Sequence, residues 1–528
     1  MNRSVSSFAF ILFVCTATAM AQDTGAQALL AKHTTFVGWK LGDPSMSSWR
    51  ASGTRTDGKG ATDRYTQARR GLAFRDTVWT RDDKLTVDYG FTGTKVWSAD
   101  ENGYTVTNLN GPARRALDLD VLLAEAATLV AGPVNAGTAR VRGVDTQIVR
   151  ITPPGGVPMD IYEDPSSGAF LRAVIDPGGA RQTVEIGSYL SAVAGKNVVG
   201  SYDAAGKHVQ LTTIQAGASV GDAELMPPKP RATWTFANEP FGFDVYHSSQ
   251  VARELRVIAS INGHSGEFLL DSGVGHIILF EPFASRAGLQ DLGTSDFSDL
   301  LGNHYFEGYS RVATLSVGNN ELRDVIVERI NDPNSRLAGV LGYDFFAGAI
   351  VNISQSKAQM QLLDPATYST DLAAGAFAFP VDLTNHTPQI EISLKNGTKA
   401  YPRLDTGSSY FMLLSQALRD SGKIAASDSS IETANANVGM TGPAGTMVNS
   451  SPVSVTIVGL DASQGSGRCV IMANVYVGPY TYQNPPLCFV NNNYFSDDGG
   501  LIGLDFLKHF DIVADYPHAH VILTPNNQ

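Results

Sequence analysis

Two stretches of the chain carry the same order of apolar and polar positions. In the first, the strand-like run 257–261 (VIASI) leads through Asn262-Gly263 into 267–270 (EFLL). In the second, 389–394 (QIEISL) leads through Asn396-Gly397 into 400–404 (AYPRL). Asn-Gly between two such runs predicts a tight β-hairpin. Each Asn-Gly begins nine positions before an aspartate, Asp271 or Asp405. Beyond each acid the pattern predicts an apolar strand and a short helical piece, 281–289 and 415–423. Gly288 and Gly422 each lie 17 residues past their Asp, where a helix-terminating glycine belongs.

The parallel continues downstream. Val340-Leu341-Gly342 and Leu501-Ile502-Gly503 are matched aliphatic-aliphatic-Gly runs. They open segments that stay alignable to Pro365 and Pro525 with one residue of gap. Agreement at several separate landmarks predicts two copies of one β-rich unit.

The pattern before these copies differs. A helix is expected over 26–38 and a small-residue helix over 121–132. Alternating runs at 48–57, 63–78, 84–93, 94–100, 146–153, 158–165, 169–177 and 181–192 predict strands. Prolines in 227–234 (PPKPRATW) read as a linker. The expected organisation is a targeting segment at 1–21, an N-terminal β-rich domain at 22–226, and a linker at 227–244. A first repeat follows at 245–365, a linker at 366–377 and a second repeat at 378–528. The fold class expected is mainly β: two pseudo-twofold-related β-barrel lobes, preceded by an antiparallel half-barrel with helices.

Composition narrows the function classes. The 528 residues are 43% hydrophobic and 17% charged, with 52 glycines, enough apolar material for several cores. The formal charge of −12 leaves no basic stripe to displace counterions from nucleic acid, so that partner is not expected. Arg3, the apolar run 8–14 and Ala19-Met20-Ala21 fit an export signal cleaved before Gln22. That run is too short to span a bilayer, and no later run is longer, so the expected chain is periplasmic or secreted and not membrane-spanning. Cys15 falls in the signal, leaving Cys469 and Cys488. Two cysteines in an oxidising compartment read as one disulfide closing a loop of about 20 residues, contributing ~3 kcal/mol; two buried thiols are the alternative.

Two carboxylates brought together across a pseudo-twofold axis cannot easily both ionise. One pKa rises and the pair shares a proton. One carboxylate then activates water while the other carboxyl donates to a substrate carbonyl. Gly273 and Gly407 permit close backbone approach, and the hydroxyls of Ser272 and Thr406 can bond across the axis to brace both loops. The chemistry needs no metal and no cofactor. The bland alternative for each acid is a turn-capping aspartate.

Asp271-Ser272-Gly273 and Asp405-Thr406-Gly407, each with its later aliphatic-aliphatic-Gly, resemble the aspartic proteases of the pepsin and retropepsin clan. The resemblance implies two retropepsin-like lobes in one chain and an aspartic-type endopeptidase. Asp271 and Asp405 would be catalytic, an extended peptide or protein would be the substrate, and a flap would lie over the cleft. Tyr305 in 302–309 is the flap aromatic expected, with 439–447 as its counterpart. Two residues depart from the clan's pattern. Val274 stands where Ser, Thr or Ala is usual. Arg403 stands two before Asp405, where the first copy has Leu269; pointing inward, it would depress the acids' pKa values.

The N-terminal region, through 158–175, 189–203 and 220–228, resembles the periplasmic lipoprotein-carrier half-barrel. That implies a cavity for an apolar ligand; a packed accessory domain or pro-domain is the alternative. The competing whole-chain reading is a catalytically silent carrier that binds peptide in the protease-like lobes. A monomer is expected. Asp344 and Asp505 read as helix-start or turn carboxylates. His276 reads as a packed or rim histidine. His518 and His520 alternate in a strand-like run that lacks a third metal ligand.

Overall fold

The computed structural model describes residues 23–526, apart from 59, 80–84, 107–118, 120–122, 124, 126, 128–129, 154–156, 177–180, 205, 248–252, 299–303, 333–334, 370–371, 384, 423, 425–428, 431–435, 443–444, 452–453, 459–463, 473 and 491–497. The expected targeting segment 1–21 lies outside these residues, and most of the helix expected over 121–132 does too.

The protein is mainly β, as its alternation implies. It divides into two compact units that interleave in sequence: residues 1–47 with 114–217, and residues 48–113 with 218–528.

The first unit opens on the helix Thr24–Val37. Asp23 caps it by accepting from the Gly25 and Ala26 amides, and Gly38, at φ 78°, ends it. Ala26, Leu30, His33 and Val37 form its buried face. His33 stacks on Phe170 and bonds Glu125 at 2.9 Å and the Gly168 carbonyl at 2.7 Å, which satisfies both ring nitrogens. The strands Val134–Val141, Val144–Ile151, Met159–Glu163, Phe170–Ile175, Gln182–Val193, Lys196–Ala204 and Lys207–Ala216 form an antiparallel meander.

The second unit begins with another antiparallel meander, Ser48–Thr56, Thr62–Arg70, Ala73–Trp79, Leu85–Phe91, Val96–Ala99 and Thr105–Val106. The run 63–78, expected as one strand, turns at Gly71, whose φ of 59° suits a residue without Cβ. Within the stretch expected as a linker, Thr233–Thr235 pairs with Glu321–Arg323. Asp244–His247, at the start of the expected first repeat, pairs with Arg253–Arg256.

The two Asn-Gly hairpins form as expected. Arg253–Ile261 pairs with His264–Leu270 through Asn262 and Gly263, at φ 47° and 85°. Ile392–Leu394 pairs with Lys399–Leu404, with Gly397 at φ 83°. Short helices follow at Glu281–Ala284 and Gln416–Asp420, and Gly288 and Gly422 take left-handed φ values after them. A six-stranded sheet combines Ile350–Ser354 and Gln359–Leu363 with Phe510–Asp515 and His520–Pro525. A continuous apolar core runs from Leu255 and Phe268 through Phe345 and Phe346 to Leu414, Phe506 and Phe510.

The expectation for His518 and His520 is corrected. His518 ends the 3₁₀ turn Tyr516–His518, and Ala519 at φ 56° separates it from the strand that starts at His520. Pro517 and the left-handed Ala519 interrupt the alternation, so the two rings do not share a strand face. His518 bonds Asp515 at 2.7 Å. No group of three or more His, Cys, Asp or Glu suited to a metal occurs among the described residues. None of the described helices is long and apolar enough to cross a membrane.

Candidate active site

Each Asp-[Ser/Thr]-Gly tripeptide follows a strand that lies parallel to its aliphatic-aliphatic-Gly strand. Leu270 is opposite Leu341 in one sheet, and Leu404 is opposite Ile502 in the other. The next amides continue the ladders: Asp271 donates to the Leu341 carbonyl at 3.1 Å, and Asp405 to the Ile502 carbonyl at 2.9 Å. The returning chain then holds each loop from below. The Tyr343 amide donates to the Val274 carbonyl at 2.9 Å, and the Leu504 amide to the Ser408 carbonyl at 2.6 Å. Gly342 and Gly503 make this possible. A Cβ at Gly342 would lie 2.6 Å from the Val274 carbonyl oxygen, and one at Gly503 would lie 2.5 Å from that of Ser408.

The two loops meet. The Ser272 amide donates to Thr406 Oγ1, and the Thr406 amide to Ser272 Oγ, both at 3.0 Å. Each hydroxyl in turn donates at 2.8 Å across the junction: Ser272 Oγ to the Leu404 carbonyl and Thr406 Oγ1 to that of Leu270. Both side chains are buried, so this four-bond crosslink sits in a low-dielectric setting that strengthens it. The crosslink brings Asp271 and Asp405 side by side, half-buried, each carboxyl lying against the glycine of the opposite loop. Asp271 Oδ1 accepts from the Gly273 amide at 2.8 Å, and Asp405 Oδ1 from the Gly407 amide at 3.0 Å. There is no room for a side chain at either glycine. A Cβ at Gly273 would lie 2.4 Å from Asp405 Cγ, and one at Gly407 would lie 2.0 Å from Asp271 Oδ2.

Burial and the neighbouring Asp405 raise the Asp271 pKa well above the usual carboxylate range. Burial raises that of Asp405 too, with Arg403 as the main opposing influence. The arrangement therefore holds two acid groups poised to keep one proton between them. Arg403 points inward: its side chain is buried and donates to the Gly273 carbonyl at 3.2 Å. The backbone of Tyr305 lies opposite Phe297 in the hairpin that joins Gln290–Ser298 to His304–Val317, and the tip of that hairpin falls outside the described residues. The strands Ala436–Gly442 and Gly445–Ser451 close the 439–447 hairpin with Gly442 opposite Gly445. Cys488 is disulfide-bonded, and its opposite residue in the ladder is Cys469.

Residues 257–345 match the family model described as aspartyl protease, a span that includes Asp271 and Gly342. No curated protein matches the chain. Among solved structures, a DUF1329 family protein from Desulfovibrio piger is 13% identical, with the match covering 38% of this chain and 96% of that one, at a TM-score of 0.28. A LolA superfamily protein from Nitrosomonas europaea is 11% identical, covering 38% of this chain and 97% of that one, also at 0.28. Likeness at this level bears on neither the site nor its activity.

A polar anchor near the first loop was not foreseen from the sequence. Asp344, at the start of the helix Tyr343–Ala347, accepts from the Ile277 amide at 2.9 Å and from Asn102 Nδ2 at 3.0 Å. Asn102 also exchanges two bonds with the Ile326 backbone, at 2.7 and 3.0 Å. His276 lies 3.6 Å from Asp344 and 4.0 Å from Glu328. Burial opposes its charge, but Glu101, Glu328 and Asp344 outweigh burial and raise its pKa well above the usual value. Asp505, the counterpart of Asp344, pairs instead with Lys508 at 2.7 Å.

Proposed function

We propose that the chain is an exported aspartic endopeptidase in which Asp271 and Asp405 share a proton and activate water against a peptide bond. The observation that carries this reading is the reciprocal Ser272–Thr406 crosslink, which sets the two carboxyls side by side. The aspartyl protease match over 257–345 supports it for the first loop. The matched registers around Leu270 and Leu404 support a duplicated unit that supplies the second acid.

In the reaction, water adds to the scissile carbonyl carbon. One carboxylate takes a proton from that water, and the other carboxyl gives its proton to the carbonyl oxygen, forming a gem-diol. Collapse breaks the C–N bond. The amine leaves with the proton taken from water, and a gem-diol proton returns to the pair, so the single shared proton is restored. Ser272, Gly273, Thr406 and Gly407 hold the carboxyls in place, which is how such sites gain most of their rate. An extended peptide would lie over the pair beneath the hairpin that carries Tyr305. A Cys469–Cys488 bridge, a cleaved signal and a periplasmic or secreted location complete the reading.

The test is incubation of the purified mature chain with denatured casein from pH 3 to 8, alongside Asp271→Ala and Asp405→Ala. Fragments from the wild type and none from either variant are expected. Fragments that persist in one variant would rule out a shared pair. Absence of fragments from the wild type would leave a peptide-binding protein.

A further inference from the structure

The two Asp loops are built alike, but what holds them from behind differs. In the first repeat the buried Asp344 accepts through Oδ2 from the amide of Ile277, which follows Asp271 in the same loop. Its Oδ1 accepts from Asn102 Nδ2, which comes from outside the repeat. In the second repeat the matching Asp505 pairs with Lys508, inside its own repeat. Asn102 lies in the turn between the paired strands Val96–Ala99 and Thr105–Val106. Along one edge of Asn320–Ile330, Thr233–Thr235 pairs at 321–323 and Ile278–Phe280 at 328–330. Between these two, the Ile326 amide donates to Asn102 Oδ1 at 2.7 Å, and the Ile326 carbonyl accepts from Nδ2 at 3.0 Å. The side-chain amide thus does what a strand's backbone does elsewhere along this edge. Further ties fix the turn within the same compact unit. The Arg231 amide donates to the Asn102 carbonyl at 2.7 Å, and the Tyr309 hydroxyl to Glu101 at 3.1 Å. Tyr104 and Val106 belong to the apolar core that holds Leu255 and Phe268.

We propose that the turn Asp100–Tyr104 is a permanent part of the site and that Asn102 is a positioning residue for the Asp271 loop, acting through Asp344, so that the active protein keeps the chain before the repeats and does not shed it as a pro-segment. What the loop does rests on the peptidase reading above; what holds the loop rests on the bonds just described. A segment shed to uncover a site should leave a surface that is complete without it. Loss of this one would leave the Ile326 amide and an Asp344 oxygen without partners, both costly to bury unpaired. It would also remove Tyr104 and Val106 from a packed core. Gly103 shows how closely the turn sits against the chain leading into the first repeat. Its φ is 78°, and a Cβ there would lie 2.7 Å from the Lys229 carbonyl oxygen.

Two measurements on the full mature chain test this. Amide hydrogen exchange read by mass spectrometry follows the loops directly, with the second loop as internal control. Asn102→Ala should speed exchange at 271–280 by about tenfold more than at 405–414, the equivalent of one lost hydrogen bond. In an active protein the same variant should lower kcat several-fold and leave KM near the wild-type value, a split that general loosening of the fold would not give. Equal changes in the two loops overturn the positioning role whether or not the protein cleaves peptides. The second measurement needs no change at Asn102. A site for a specific protease is inserted after the exposed Met226, and the folded protein is cut there. The two pieces should elute together in gel filtration, and the cut protein should cleave casein as the uncut one does. Pieces that part in plain buffer, or an active species whose mass lacks residues 100–106, overturn the proposal. Loss of the peptidase reading shows separately, as an uncut wild type that yields no casein fragments; exchange and co-elution still decide what holds the loop.

Discussion

Ser272 and Thr406, 134 positions apart, exchange amide-to-hydroxyl hydrogen bonds at 3.0 Å in both directions. Each hydroxyl also donates to a backbone carbonyl of the opposite strand, so each both accepts and donates across the junction. Thr406→Ala would leave the buried Ser272 amide and Leu270 carbonyl without partners. The expected loss is about 1–3 kcal/mol of unfolding free energy, read from urea denaturation, together with a fall in peptidase rate. Thr406→Ser keeps both bonds and should stay close to wild type. An alanine variant as stable as the wild type would show that the crosslink contributes nothing.

Gly407 tests the geometry rather than the stability. A methyl at this position would overlap the Asp271 carboxyl, since the Cβ falls 2.0 Å from Oδ2. Accommodating it requires the loop to shift, which would separate the carboxyls. Gly407→Ala should therefore lower kcat by about 100-fold or more, the usual consequence of moving a reacting group by about 1 Å. Far-UV circular dichroism should be unchanged. Retained kcat would mean that the acids need not touch.

Local chemistry made the two loops legible in the sequence. Asn-Gly turns, glycines at fixed offsets and the aliphatic-aliphatic-Gly runs each specify backbone conformation within a few residues, and they recur at matched spacing. Features that depend on distant partners were not legible. Alternation alone could not orient Arg403; the register against Leu501 and the reach to Gly273 do so. The proline-rich stretch read as a linker, yet Thr233–Thr235 finds an edge to pair with some 90 residues later in the sequence, at Glu321–Arg323. Nothing near Asn102 signals that it meets Ile326, 224 positions away. Pro517, by contrast, was a visible warning against a strand through His518.

Asn102 is the clearest of these long-range ties. It is buried at 1% exposure and makes three hydrogen bonds, two to Ile326 and one to Asp344. Asn102→Ala leaves the Ile326 amide and one Asp344 oxygen without their partner, which should reduce stability by about 2–3 kcal/mol in urea titrations. Asn102→Asp should be worse, because it places a second carboxylate against Asp344. A midpoint unchanged in the alanine variant would show that water replaces the amide at no cost.

The raised acid pair should also mark the pH dependence of stability. In the unfolded chain both aspartates titrate near the ordinary value of about 3.9. In the folded chain burial raises both, and the Asp405 charge adds to burial at Asp271. Below the ordinary value both states are protonated and the pair imposes no penalty. As pH rises above it, the unfolded chain releases protons that the folded pair retains, so stability falls until the folded values are passed. Asp271→Asn removes one of these ionisations. The variant should match the wild type near pH 3 and exceed it at pH 7, by about 1.4 kcal/mol for each unit of elevation removed. Urea titrations at pH 3, 5 and 7 measure this directly. A variant no more stable than the wild type at pH 7 would mean that the native carboxyls ionise freely and do not hold a proton in common.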